Sequence, residues 1–211
     1  MARIRSILGD IEGSTGQLTF TKVNGQNILR QKVGSNSSNT PAQQAVRARF
    51  KLLSTLFKAM SSAVAAGFRK AGGLSSYNLF TRANYVNTTY DPNTMVATAD
   101  YPALLISGGN VESLGVISAL KVANSGDVTV TWPDNSNGGT ALGGDMVTVL
   151  AVNTATGAAY SAVGVASRDE SAATLTDARL VGVAPANVRV YAFARRADFS
   201  DASPASTDLA S

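Results

Sequence analysis

The chain has no cysteine and no histidine, a single tryptophan, and only 15% charged residues among its 211 positions. Without Cys and His, a Cys/His zinc site, a thiol nucleophile and a Ser-His-Asp triad are excluded. The chemistry left to it rests on Asp, Glu, Lys, Tyr and Ser/Thr, which show no catalytic spacing. The sequence therefore reads as non-enzymatic, with no cofactor, metal or small-molecule substrate. It holds no run of about 18 apolar residues, so no transmembrane helix and no membrane partner are expected. The residues after Met1 lack the apolar stretch of a secretory signal.

Charge is scarce against the roughly 25% usual in soluble domains, and Ser, Thr, Asn and Gly supply the polarity instead. A hydrophobic share of 45% argues against disorder. The length allows one large or two small domains. The few acids are unevenly placed: none lies between Glu12 and Asp91. Residues 1–83 hold twelve Lys/Arg against two acids, +10, whereas residues 84–211 hold six against twelve, −6. This polarity points to a polyanion partner or to head-to-tail contact between copies.

Residues 17–33 read as a β-hairpin, because Asn24-Gly25 supplies the two positive-φ positions of a type I′ turn. That register places Phe20 opposite Leu29 and Thr19 opposite Arg30. The glycine-rich residues 9–16 match no phosphate-binding loop. Residues 34–39 form a linker, after which Thr40, Pro41 and Gln43 mark a capped helix start. This helix is expected to run to about Ala71 and stop at Gly72-Gly73. Val46, Phe50, Leu53, Phe57, Met60, Val64 and Phe68 fall within an arc of about 80°, and Leu52, Leu56 and Ala63 form a second flank, so burial on two sides is expected.

On the remaining face Arg47, Lys51, Lys58 and Arg69 share an arc of about 40° and span roughly 33 Å. Solvated helix faces usually mix signs, because i,i+4 pairs of opposite charge stabilise them; this one is purely basic. A serine-capped second helix over 75–85 is expected to pack Tyr77, Phe80 and Tyr85 on the first, which accounts for these aromatics more simply than base stacking beside Arg82.

From Pro102 the period changes to two. Strands are expected at 103–106, 117–122, 128–132, 146–152, 159–165, 172–175 and 188–194, with the lone Trp132 on the third. Seven short strands of this kind describe an immunoglobulin- or fibronectin-III-like β-sandwich. The fold class is thus α+β: an N-terminal β-hairpin and long helix in a helical hairpin, then the sandwich. The domains divide as 1–34 (N-terminal strands and hairpin), 35–98 (linker and helices), 99–197 (sandwich) and 198–211 (flexible tail). Two polar loops need weighing. Asp134, Ser136, Gly139 and Asp145 loosely resemble a calcium loop, but flanking helices are missing and a connection between strands explains them. Ser167-Arg168-Asp169-Glu170-Ser171 holds adjacent carboxylates with no opposing partner, as a polar turn does.

Together, Gly25…Arg30, Thr40-Pro41-Ala42-Gln43…Arg47…Phe50, Thr131-Trp132-Pro133-Asp134-Asn135-Ser136…Gly139…Ala141…Asp145, Ala166-Ser167-Arg168 and Val188-Arg189-Val190-Tyr191-Ala192-Phe193 resemble an uncharacterised family, a domain of unknown function abundant in Bacteroidota and their phages and mobile elements. The tail departs from it: Ser200-Asp201-Ala202-Ser203-Pro204-Ala205-Ser206 stands where the resemblance implies a closing Ser-x-Ser-x-Tyr strand. The resemblance implies architecture and no activity.

Three functions follow as expectations. The first is a structural, self-assembling phage virion component (capsid, capsid-decorating or tail protein), located in the virion or cytoplasm, whose partners are copies of itself and other virion proteins. The second is a nucleic-acid-binding module, and the third a surface or adhesion module. The contact candidates are Lys22, Arg30 and Lys32 in the hairpin and Arg47, Lys51, Lys58 and Arg69 on the helix.

Overall fold

The computed structural model describes residues 2–4, 12–35, 38–69 and 73–211. Parts of three expectations, at residues 9–11, 36–37 and 70–72, lie outside them. The protein is mixed α/β and mostly β, with a long helix and several antiparallel sheets. It divides into two compact units, Met1–Thr40 and Pro41–Ser211.

In the first unit β1 (Ala2–Ile4), β2 (Gly13–Thr15), β3 (Leu18–Val23) and β4 (Gln26–Gln31) form one sheet in the order β1-β4-β3-β2. Asn24 (φ 50°) and Gly25 (φ 75°) make the expected turn, and Phe20 pairs with Leu29 and Thr19 with Arg30 as the turn dictates. β1 and β2 pair along the two outer edges of the hairpin. None of residues 12–35 is buried.

The second unit opens with α1 (Pro41–Gly67) and α2 (Ser76–Asn84). Ser75 caps α2, its hydroxyl accepting from the Asn78 amide at 3.3 Å. Phe57 meets Tyr77 (5.1 Å between ring centroids) and Phe80 (6.1 Å). α1 starts at Pro41 as expected but ends at Gly67, short of Ala71. The reason is close approach: a Cβ on Gly67 would lie 2.5 Å from the Ser107 Cβ and 2.8 Å from the Ile106 carbonyl oxygen.

A short hairpin follows, β5 (Thr88–Asp91) and β6 (Val96–Ala99), in a stretch expected to be helical or linking. Asp91 makes its turn, accepting from the Asn93 amide (2.8 Å) and the Thr94 hydroxyl (3.0 Å). Residues 103–106 have the alternating burial of a strand yet join no ladder. The buried Asn84 amide takes the place of a neighbour, accepting from the Leu105 N–H at 2.7 Å and donating to its carbonyl at 2.8 Å.

The remaining strands form two antiparallel sheets. β7 (Ser118–Lys121), β8 (Asp127–Thr131) and β11 (Ala172–Thr176) form one, in the order β11-β8-β7. β9 (Met146–Asn153), β10 (Ala159–Ser167), β12 (Val188–Arg195) and β13 (Ser206–Leu209) form the other, in the order β10-β9-β12-β13. Val147, Val149 and Ala151 of β9 and Val190, Ala192 and Ala194 of β12 face the three-stranded sheet, sharing one core with Val128, Val130 and Leu175. The intervening Leu150, Val152, Tyr191 and Phe193 share a second core with Leu53, Leu56, Met60 and Val64 of α1. The central sheet is therefore covered on both faces, which is why β9 and β12 are buried almost without interruption. Helix α1 and these sheets fall within the one compact unit Pro41–Ser211.

The segment 198–211, expected as a flexible tail, is built into this unit. β13 pairs with β12, the Ser203 amide donates to the Ala194 carbonyl, Ala210 is buried in the first core, and Ser211 bonds the backbone of Ala119 and Lys121 in and beside β7.

Candidate functional site

The predicted basic residues do not converge. In the first unit Lys22 and Arg30 are both exposed but lie on opposite faces of the sheet, Lys22 on the face of Phe20 and Arg30 on that of Thr19. Lys32 is exposed just beyond β4. In the second unit Arg47, Lys51 and Lys58 line one exposed face of α1, whereas Arg69 lies past its end and donates to the Ser200 carbonyl at 2.7 Å. The stripe is thus three residues over about 16 Å of helix. Among the described residues Lys51 and Lys58 form no ion pair. Val46 and Phe50, expected on the buried side, are exposed. Phe50 instead contacts Tyr85 at 5.5 Å, over whose ring the Arg49 guanidinium sits at 5.3 Å. Arg49 points away from the stripe, so an arc criterion does not find it.

The most organised polar site surrounds a residue that reads as part of an exposed turn. Arg168 is completely buried. Its Nη1 donates to Asn135 Oδ1 (2.7 Å) and the Ser113 carbonyl (3.4 Å), and its Nη2 to the Glu112 carbonyl (2.8 Å). The Asp145 carboxylate, also buried, lies 3.6 Å from Nη2. Asp145 in turn accepts from Arg196 Nη1 (3.1 Å) and the Leu142 amide (3.0 Å). The backbone closes the cage: the Arg168 amide donates to the Asp145 carbonyl, and its carbonyl accepts from Trp132 Nε1 at 2.8 Å. One guanidinium thus ties its own turn to three other stretches of chain, at 112–113, 135 and 145. Burial pulls the Arg168 pKa below that of a free guanidinium, against the opposing pull of Asp145 and Glu112.

The calcium-like loop and the acidic turn are absorbed here. Asp134 accepts from the Ser136 amide (3.0 Å) and hydroxyl (2.6 Å), a local turn that lowers its pKa. Asp145 is held by two arginines, and among the described residues no group of three acids gathers to hold a metal. Residues 168–170 form a 3-10 turn in which Glu170 accepts from the Ser167 amide and Asp169 from its hydroxyl. These carboxylates are turn formers, each with a local donor.

The cage also gives the unit an acidic end. Met146 of β9, Ser167 of β10 and Arg195 of β12 lie side by side there. Glu112, Asp134 and Asp145 surround Arg168; Asp169 and Glu170 follow it; Asp198 lies near Arg196, and the Asp201 carbonyl accepts from the Arg196 amide. Against these seven carboxylates stand Arg69, Arg168, Arg195 and Arg196, a balance of −3 among the described residues. The other described charges of this unit, eight basic and five acidic, balance at +3. β9 runs from the acidic end to Asn153, about 25 Å away. The 154–157 loop beyond it shares a groove with Leu52 and Leu56, so Arg47, Arg49 and Lys51, which precede Leu52, lie toward the opposite end. The C-terminal end of α1 reaches the acidic end, where Gly67 meets Ser107 and Ser107 donates to the Ser203 carbonyl.

The model of DUF6266, a family of unknown function, matches residues 10–195. The chain belongs to that family. The match takes in Trp132, Asn135, Gly139, Asp145 and Arg168, part of the pattern by which the sequence resembles an uncharacterised family, and the structure gathers these five in and around one cage. The Gly139 carbonyl takes part by accepting from Arg196 Nη2 at 2.9 Å. No curated protein and no solved structure is significantly similar to this member of DUF6266. No helix among the described residues is long and apolar enough to cross a membrane.

Proposed function

We propose that the protein is a non-enzymatic structural component that assembles with copies of itself. The observation that carries this reading is the charge separation along the 41–211 unit, −3 at the Arg168 end and +3 over the rest, on a framework whose central sheet is packed on both faces. A net negative end attracts the net positive remainder of another copy and repels its like end, which orients association. The carboxylates near Arg168 have donors either in local turns, as at Asp134, Asp169 and Glu170, or from more distant side chains, as at Glu112 and Asp145, an arrangement that serves architecture better than proton transfer, where a titrating group must face a substrate.

The finer reading is a phage virion component, a capsid, capsid-decorating or tail protein working in the virion or in the cytoplasm where virions are built, with its two facing sheets of immunoglobulin or fibronectin-III type. The resemblance to a family abundant in Bacteroidota and their phages and mobile elements supports the virion, and the four and three antiparallel strands of the two facing sheets support the sheet type. Negative-stain electron microscopy of the purified protein tests the assembly. Rings, shells, tubes or filaments of regular spacing are the expected result; dispersed single particles at high concentration and low salt contradict it.

A further inference from the structure

We propose that copies join head to tail, with the N-terminal end of α1 of one copy seated against the Arg168 end of the next. This rests on the self-assembly reading and names its two surfaces. At the start of α1, Val46 and Phe50 lie one turn apart and are 42% and 45% exposed. Phe50 leans on Tyr85, Arg49 sits over the same ring, and the neighbouring Val86 is 80% exposed. Exposed apolar groups beside an aromatic and an arginine have the composition of an interface centre. Arg47 and Lys51 supply a cationic rim, α1 contains no acid over its 27 residues, and its peptide dipole adds positive potential at this end.

A nucleic acid would suit Lys51, which forms no ion pair among the described residues, but would leave Val46, Phe50 and Val86 in water. The acidic end of a second copy suits both. Glu112, Asp169 and Glu170 are exposed there and already held by local hydrogen bonds, so little side-chain entropy is lost on contact. Between them and the 196–199 turn lies a hollow of about 330 Å³ lined in part by Leu142, Ala197 and Asp198, with the 62% exposed Phe199 beside it. Two different surfaces meeting in this way make a heterologous contact, which repeats into a ring or a filament instead of stopping at a symmetric dimer.

Mixing two variants tests this. One carries Lys51→Glu and Val86→Asp; both sites are exposed and free of ion pairs among the described residues. The other carries Glu170→Lys and Asp198→Lys. Thermal melts confirm that each folds, and sedimentation velocity is run on wild type, on each variant and on their equimolar mixture at 50 and 500 mM NaCl. The expected result is oligomeric wild type at low salt, two monomeric variants, and a mixture that stops at a 1:1 dimer, since each partner brings one intact surface. Wild type that assembles while the variants assemble equally well, or while their mixture stays monomeric, overturns the head-to-tail contact alone. Wild type that is monomeric throughout overturns the self-assembly reading with it, and a monomer that shifts a labelled DNA duplex in a salt-dependent way assigns the basic end to a polyanion.

Discussion

The two units of this chain are held together by different physics. The 41–211 unit has two cores separated by one sheet, and at one end a completely buried arginine that binds three other chain stretches. In the 1–40 unit none of residues 12–35 is buried, and its sheet rests on backbone pairing and on one well-chosen turn. Small sheets without a covered face are marginal in isolation. Substitutions of buried side chains in the 41–211 unit should therefore be severe, and substitutions in the 1–40 unit mild.

The largest effect is expected at the cage. Replacing Arg168 by Met leaves Asp145 buried with one cation fewer and removes the guanidinium donors to the Glu112 carbonyl and to Asn135 Oδ1, at a cost of about 3–5 kcal/mol. For a domain of this size that is a fall in Tm of roughly 10 °C or more, readable by calorimetry; an unchanged Tm would show the cage to be dispensable. Phenylalanine offers a matched pair. Phe193, fully buried against α1, should cost about 3–5 kcal/mol when cut to Ala. Phe20, half-buried in the first unit, should cost about 1 kcal/mol or less. Equal losses in denaturant titrations would erase the contrast between the units.

Glycine gives a smaller version of the same comparison. At Gly67 an added methyl meets Ser107 and Ile106, so Gly67→Ala should destabilise by about 1–3 kcal/mol despite the better helix propensity of alanine. At Gly25 the space is open and only the positive φ resists, so Gly25→Ala should cost about 1–2 kcal/mol. A stabilised Gly67→Ala protein would mean that the helix end does not approach so closely.

Much of the fold was legible where local pattern and final contact coincide. Asn24-Gly25 determined a register that needs no distant information, and six of the seven expected strands read as alternating or β-branched runs. The misses arise where a long-range partner decides. β13 is a polar, small-residue segment whose strand character comes from β12, and residues 103–106 lack a ladder because Asn84, twenty-one positions earlier than Leu105, bonds that backbone. The helix was read too far because it stops where residues 106–108 come up against it, with the Gly67 carbonyl accepting from the Gly108 amide at 3.2 Å, and not at a sequence signal. Arg168 was hidden for a similar reason: a charged residue in Ser-Arg-Asp-Glu-Ser reads as solvated, and only Glu112, Asn135 and Asp145 make its burial affordable.

The smallest expected effect is acid sensitivity. Asp177 is held at a pKa of about 2 by its hydrogen bonds from Arg179, and bonds in turns and between strands also lower Asp91, Asp127, Asp134 and Asp198. A carboxylate whose folded pKa lies below its unfolded value stabilises the fold above pH 3.8 and loses that contribution as pH falls toward 2. All five lie in the 41–211 unit, so its melting temperature should decline from about pH 4 downward and be shallow in Asp177→Asn. A melting temperature independent of pH between 4 and 2 would count against these turn bonds.

The proposed association rests on charge separated along the 41–211 unit, negative at the Arg168 end and positive over the rest. Sedimentation velocity of the wild-type chain over a salt series tests this most directly, because a Debye length of about 10 Å at 0.1 M shortens as salt rises and screens such contacts. Oligomers at 50 mM NaCl should dissociate toward monomer by 500 mM; a single monomeric boundary at every salt and protein concentration would refute the association.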